Sequence, residues 1–211
     1  MKRRLIHWLG LLGPLSLISY AAAVLLSPAA YPGYDWMSQA VSDLSAQDAP
    51  SRMLWQQLAG VYNIAGIVAV TMVGVYVENR LTKPLRTGIY LFVMMSWISA
   101  LGYTIFPLTS SGSPGTLQDF IHIYIVTVMV VLLSILSLGM IMIGGFKDKQ
   151  YKGLAMWAAA ALTFMSAGAV GAGIVPEAYF GIPERFSVFA ATAFTAVLGM
   201  YLFNGFGEMD D

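Results

Sequence analysis

The stretch Phe120-Ile-His-Ile-Tyr-Ile-Val-Thr-Val-Met-Val-Val-Leu-Leu-Ser-Ile-Leu-Ser-Leu-Gly-Met-Ile-Met-Ile143 decides the class of fold. It is almost continuously apolar apart from a few hydroxyls, with one side chain that titrates near neutrality, His122, near its start. A bilayer core of about 30 Å takes roughly 20 apolar residues of helix to cross. The run has to be helical, because in lipid each span must satisfy its own backbone hydrogen bonds. A closed membrane barrel would need short alternating segments instead. Six stretches meet the required length: approximately Leu5–Leu26, Leu54–Val77, Gly88–Phe106, Phe120–Ile143, Gly153–Val175 and Phe186–Phe206. The expected fold is all-α. It is a single domain over residues 1–211, a polytopic membrane bundle of six transmembrane helices with a short amphipathic helix in the first outer loop.

Composition agrees and excludes the alternatives. Of the 211 residues, 58% are apolar and only 10% charged, against about 25% charged in a soluble domain. Eleven basic residues balance eleven acidic ones, so nothing marks a nucleic-acid partner, which needs a basic surplus. There is no cysteine, hence no disulfide framework.

Charge threads the chain. Lys2, Arg3 and Arg4 precede the first span. Arg80, Lys83 and Arg86 lie between the second and third, and Lys147, Lys149 and Lys152 between the fourth and fifth. A six-span topology puts all nine on one side and leaves Arg52 and Arg185 on the other. The positive-inside rule then predicts a multi-pass protein of the cell (inner) membrane with both termini cytoplasmic. Six acids, Asp35, Asp43, Asp48, Asp119, Glu177 and Glu184, fall on the outer side. The opening Met-Lys-Arg-Arg, with Ala21-Ala22-Ala23 later, also fits a cleaved signal peptide. The apolar run is longer than such signals, and Pro14 interrupts it, so a retained first span is expected.

Polar and small residues inside the spans carry packing signals. Ala167 with Gly171 and Ala169 with Gly173 are spaced four apart, which lets helices approach closely. Packing within one monomer is expected from them, with a homodimer seam as the alternative. Asn63, inside the second span, is read as a hydrogen-bonding partner for a neighbouring helix or as a ligand contact. Pro28, Pro107 and Pro176 end the outgoing helices, and Asp48, Asp119 and Glu184 begin the returning ones. This outlines three similar hairpins, although ordinary capping explains the pattern as well.

The outer connections hold the candidate chemistry. Between Ser27 and Met53, the segment Asp35–Ala46 has helical periodicity. Trp36, Met37, Ala40, Val41 and Leu44 fall on one face, with Ser38, Gln39, Ser42, Asp43 and Ser45 mostly on the other. It reads as an interfacial helix capped by Asp35, with Tyr31 and Tyr34 at headgroup level, or as a lid that closes a pocket with Ser42 and Asp43. Asp119 and His122 are three apart and share a helix face. That suits a packing histidine oriented by Asp119, or a proton-transfer group. Metal ligation with Asp119 and Glu184 is a third reading, and one histidine with carboxylates is poor support for zinc. Arg185 can bind a lipid phosphate or pair with Asp43, while Arg52 can pair locally with Asp48. Catalytic candidates are therefore His122, Asp119, Asp43 and Ser42. Ligand-binding candidates are Arg185, Glu184, Asn63 and Ser38. No metal site is expected. No cofactor is expected either: the two histidines, His7 and His122, belong to opposite membrane faces and cannot jointly ligate a haem.

Three short motifs resemble a known family. They are Ser42-Asp-Leu-Ser-Ala46, Phe106-Pro107 followed by a Gly/Ser/Pro loop and His122, and Gly181-Ile-Pro-Glu-Arg-Phe186. They are similar to those of domain-of-unknown-function family 998, small bacterial and archaeal membrane proteins. The resemblance implies a six-span bundle with its motifs on one membrane face. Members commonly carry an acid soon after Phe-Pro, whereas Leu108-Thr109 follows here. Three functions compete. One is binding of a lipid or small amphiphile, with membrane lipids as the partners. Another is an enzyme with His122 as base, Asp119 as its orienter, Arg185 as anion clamp and Ser42 or water as nucleophile. The third is a transporter, against which the span centres are nearly free of charge.

Overall fold

A computed structural model describes residues 3–110 and 115–210. Lys2 and the Gly112-Ser113-Pro114 part of the loop after Phe106-Pro107 lie outside the described residues. The structure is helical, with no strand among the described residues, and six helices are long and apolar enough to cross a membrane. The chain is a multi-pass membrane protein.

The first span is two pieces, α1 (Leu5–Leu9) and α2 (Leu12–Leu26). The break follows from Pro14, which lacks an N–H and crowds the carbonyl of Gly10, four residues earlier. The backbone there falls back on tighter bonds, Leu11 N to Trp8 O at 3.1 Å and Gly13 N to Gly10 O at 3.0 Å. Then come α3 (Arg52–Tyr76), α4 (Lys83–Ile105), the short α5 (Leu117–Phe120), α6 (Thr127–Phe146), α7 (Lys152–Ile174) and α8 (Gly181–Phe203). A π-helical stretch, Ile121–Val126, joins α5 to α6.

Several helices begin before the apolar runs do. Pro84 sits in the first turn of α4, where a missing N–H costs nothing. Thr116 and Asp119 form a reciprocal capping box that starts α5. Hydrophobicity marks the lipid-facing length, whereas caps mark the helix ends, so Asp119, Glu184 and Arg185 stand within helices rather than in loops.

The six spans form a closed ring in sequence order, α2–α3–α4–α6–α7–α8, with α8 returning to α2 and also touching α3. The return contact depends on glycine. A side chain at Gly10 would run into the Gly199 carbonyl and stand 2.7 Å from Phe203 N. The core lies at the middle and basic end of the bundle, where Val70, Val73, Phe92, Leu138, Leu154, Phe194 and Leu198 are buried together. Phe92 and Phe194 meet edge-on at 5.2 Å between ring centroids. Large apolar side chains such as Leu132, Leu136, Ile143 and Val170 point outward, as lipid in place of water allows. On α7, Gly168 and Gly171 pack against Pro183 and Ser187 of α8, whereas Ala167, Ala169 and Gly173 are exposed.

The helix expected over Asp35–Ala46 is instead a series of turns ending in one 3-10 turn, Ser42–Ser45. The polar side chains capture the backbone bonds that a helix would need. Asp35 Oδ1 accepts from Met37 N at 3.0 Å, Gln39 Oε1 accepts from Asp35 N at 2.8 Å, and Asp43 Oδ2 accepts from Ala40 N at 2.9 Å. The segment still folds over the end of the bundle, with Val41, Leu44 and Ala46 buried.

Candidate functional site

The three motif segments gather at one end of the bundle. The loop over residues 31–51 is pinned onto α8 by its backbone. Gly181 N donates to Met37 O at 2.8 Å, and Val41 N donates to Glu184 Oε2 at 3.2 Å. Only glycine permits this approach at position 181, because a side chain there would collide with the Trp36 and Gln39 carbonyls. Gln47 N donates to Leu108 O at 2.9 Å, and Leu108 packs with Ala46 and Ala49. Ser51 Oγ closes the far end by donating to Leu44 O at 2.8 Å.

Arg185 is the centre of this roof. Its Nη1 donates to Gln39 O at 3.0 Å and to Gly181 O at 2.7 Å, while Nη2 donates to the Tyr34 hydroxyl at 2.6 Å. Tyr34 passes its own proton to Ala40 O at 2.9 Å. Burial pushes the Tyr34 phenol up to about 12, against the pull of the Arg185 guanidinium. Arg185 therefore ties the loop to α8 instead of standing open for an anion. At the loop's exposed edge, the Met37 N–H and the Ser38 hydroxyl hold Asp35 below the ordinary carboxylate value. Ser38 serves that turn, donating to Asp35 Oδ2 at 2.8 Å. Asp43, 6% exposed, likewise serves the turn at Ala40.

Asp119 and His122 share a helix face but do not bond to each other. Asp119 is fully buried, and its carboxylate collects Thr109 N at 2.7 Å, Thr109 Oγ1 at 2.6 Å, Thr116 Oγ1 at 2.8 Å, Thr116 N at 3.1 Å and Gly115 N at 3.2 Å. It fastens the loop between α4 and α5, and this leaves it no part in orienting a histidine. His122 Nδ1 instead lies 2.7 Å from Phe106 O. A carbonyl only accepts, so Nδ1 carries the proton and Nε2 presents a lone pair. Nε2 has no protein hydrogen-bond partner among the described residues. The histidine sits in the π-helical stretch, a distortion found often at functional sites. Thr127 Oγ1 donates to the His122 carbonyl at 2.9 Å. No hydrogen bond joins Ser42 to His122 among the described residues.

Beneath the roof the structure adds groups that the residue spacing did not single out. Tyr103 of α4 lies against His122, with ring centroids 4.7 Å apart, and its hydroxyl meets Thr127 Oγ1 at 3.1 Å. Tyr20 of α2 packs on Tyr62 of α3 at 4.7 Å, and the Tyr62 hydroxyl lies beside Thr192 of α8. Glu184 is within electrostatic reach of Tyr20 and Tyr103, and Tyr103 of Tyr62. Only one oxygen of Glu184 has a protein hydrogen-bond partner among the described residues. A tyrosine in the middle of an apolar span is the signal that could have found this cluster, because its hydroxyl needs a polar neighbour when buried. Asn63 lies elsewhere, exposed on α3. No group of three or more possible metal ligands occurs among the described residues.

The arrangement is a polar, aromatic cluster under a pinned loop. It can accept hydrogen bonds through Glu184 and His122 Nε2 and donate them through tyrosine hydroxyls. Comparisons with curated proteins and with solved structures find no match. The family described as Protein of unknown function (DUF998) matches residues 14–201. With most of the chain inside that match, including all three motifs, this protein belongs to the DUF998 family.

Proposed function

We propose that this protein binds a lipid-like amphiphile at the polar, aromatic cluster beneath the 31–51 loop, at the extracytoplasmic face of the cell membrane. The observation that carries the reading is the set of unfilled hydrogen-bonding positions gathered there. They are the second oxygen of Glu184 and Nε2 of His122, set among Tyr20, Tyr62 and Tyr103. A ligand's polar end can supply partners for these atoms. The carboxyl of Glu184 favours a head that offers hydrogen-bond donors, such as hydroxyls or an amine. Arg185 gives its hydrogen bonds to the loop and to Gly181 rather than to that carboxyl.

The buried core beneath this cluster, with Phe92 against Phe194, supports a binding site over a transport path. The dedication of Asp119 to its own loop supports binding over acid–base catalysis by an Asp–His pair. Two measurements test the proposal. Reporter fusions at Lys83 and Lys149 should place the basic end in the cytoplasm. Native mass spectrometry of the purified protein should show a retained amphiphile in the wild type, largely lost in Glu184→Gln and Tyr103→Phe. Equal lipid occupancy in all three proteins would refute the site.

A further inference from the structure

The basic end of the bundle carries a concavity of its own. It lies between the start of α4 and the turn that joins α6 to α7, and has a volume of about 370 Å³. Its lining is Thr82, Pro84, Gly144, Lys147, Asp148 and Lys149. Small-molecule sites range from about 300 to 1,000 Å³. Glycine brings the two sides together. A side chain at Gly144 would stand 2.6 Å from Leu85 N, and one at Gly145 would stand 2.9 Å from the Tyr151 carbonyl. The chain then leaves α6 and turns at once, with Asp148 N donating to Gly145 O at 3.3 Å and Tyr151 N to Asp148 O at 3.1 Å. That turn carries Lys147 and Lys149 to the depression, across from Thr82 and Pro84.

The charges in this lining do not cancel. Asp148 faces its own turn, where its Oδ1 accepts from Gln150 N at 3.1 Å and caps Lys149–Tyr151. Lys147 and Lys149 are exposed, with no ion-pair or hydrogen-bond partner among the described residues. The Thr82 hydroxyl makes no capping bond to α4 and has no other partner among the described residues. Arg3 and Arg80, at the same end, differ in this respect. The Arg3 guanidinium lies 4.1 Å from the Phe203 ring centroid and that of Arg80 lies 4.6 Å from the Tyr76 ring centroid. The depression thus offers two ammonium groups and one hydroxyl donor, a set that suits a phosphate.

Position in the bilayer decides the kind of phosphate. Residues four, seven and eleven apart share a helix face. On α6 the row that ends at Lys147 includes Leu136 and Ile143, both exposed to lipid. On α4, Tyr90 stands seven residues beyond Lys83 and is exposed as well. The depression therefore lies where lipid-facing surface meets a basic turn, at the level of the headgroups. Basic pockets between spans at that level bind anionic headgroups. We infer that this depression binds the phosphate head of an anionic phospholipid from the leaflet on the basic side. Lys147 and Lys149 pair with the phosphate, Thr82 donates to it, and the acyl chains run along Ile143 and Leu136. The site is at the opposite end from the Glu184 cluster and is independent of the binding function proposed there.

The test is native mass spectrometry of the full chain in detergent, titrated with dioleoyl-phosphatidylglycerol or dioleoyl-phosphatidylethanolamine. The wild type should bind the phosphatidylglycerol in preference. Lys147→Gln and Lys149→Gln should each weaken that binding about fivefold, the equivalent of about 1 kcal/mol per basic residue at a lipid surface. Neither lysine has a partner to lose among the described residues, so both variants keep the contacts of the fold. Lys152→Gln removes the same charge from the same end but outside the lining, and should change the binding by about twofold at most. An equal loss in all three variants would reduce the effect to the overall charge of that end and overturn the site. Equal binding of the two lipids by the wild type would overturn it too. Glycerol phosphate, the same head without tails, should not displace the phosphatidylglycerol at matched concentration. Displacement would make the occupant a free phosphate and overturn the lipid.

Discussion

The Arg185 guanidinium and the Tyr34 hydroxyl, 151 residues apart in the chain, meet at 2.6 Å. This contact converts a long, turn-rich connection into a roof over one end of the bundle. Replacing Arg185 with Ala removes three charge-assisted bonds and should cost about 2–3 kcal/mol. Lysine should recover little, because an ammonium cannot reproduce the planar fork. Thermal denaturation in detergent checks the loss of stability. Limited proteolysis should show new cleavage within residues 31–51.

The same contact makes the roof sensitive to strong alkali. The folded-state value of Tyr34 is raised from 10.0 to about 12. Its neutral form therefore contributes stability in full below pH 10, and that contribution is lost as pH rises through about 12. Trp36 lies 6.0 Å from the Arg185 guanidinium and reports the change by fluorescence. The wild type should show a transition in that window, and Tyr34→Phe should not.

Acid loosens the loop at a different point. Asp35 is held below its ordinary value of 3.8 by Met37 N–H and the Ser38 hydroxyl. A depressed carboxyl contributes stability above its unfolded value, and this is lost as pH falls through the folded one. Backbone hydrogen exchange at Met37 should accelerate only below about pH 4, and Asp35→Asn should show the faster exchange at neutral pH.

Asp119→Ala strands five donors in a buried site and should destabilise the fold by about 3 kcal/mol or more. Asp119→Asn, which keeps one acceptor oxygen, should cost less. Thermal stability of the two variants measures this ordering. If Asp119 acted instead by orienting His122, both would leave stability near that of the wild type.

Thr127→Val keeps the side-chain shape but removes the hydroxyl shared by Tyr103 and the His122 carbonyl. A loss of about 1–2 kcal/mol is expected. The ring signals of His122 and Tyr103 should also broaden in NMR spectra as the π-helical stretch loses its bracing.

The six spans were legible because crossing a bilayer demands a length of apolar chain, and Phe120–Ile143 shows it without any tertiary information. For the first connection, Val41 and Leu44 among polar residues left two positions open, along the membrane interface or over the bundle mouth, and the burial of Val41 and Leu44 is what selects the second. Its local structure was not legible, because Asp35, Gln39 and Asp43 could cap turns as readily as they could line a helix face. The roles of Asp119 and His122 were hidden for a related reason. Spacing put them on one face, but their partners, Thr109 and the Phe106 carbonyl, come from the preceding connection and the end of α4. Tyr20, Tyr62 and Tyr103 stand in sequence as ordinary members of apolar runs, and nothing in their spacing shows that they meet.

What the chain alone determined is the number of crossings and which connections share a side, since hydrophobic length and the placement of Lys and Arg are properties of a line. Which polar groups meet was decided only in three dimensions. The serines of α2 hold α3 by the Tyr62 and Leu58 carbonyls, and Gly102 brings α4 against Val126 of the π-helical stretch. Each of these contacts joins residues far apart in the chain, which no local pattern records.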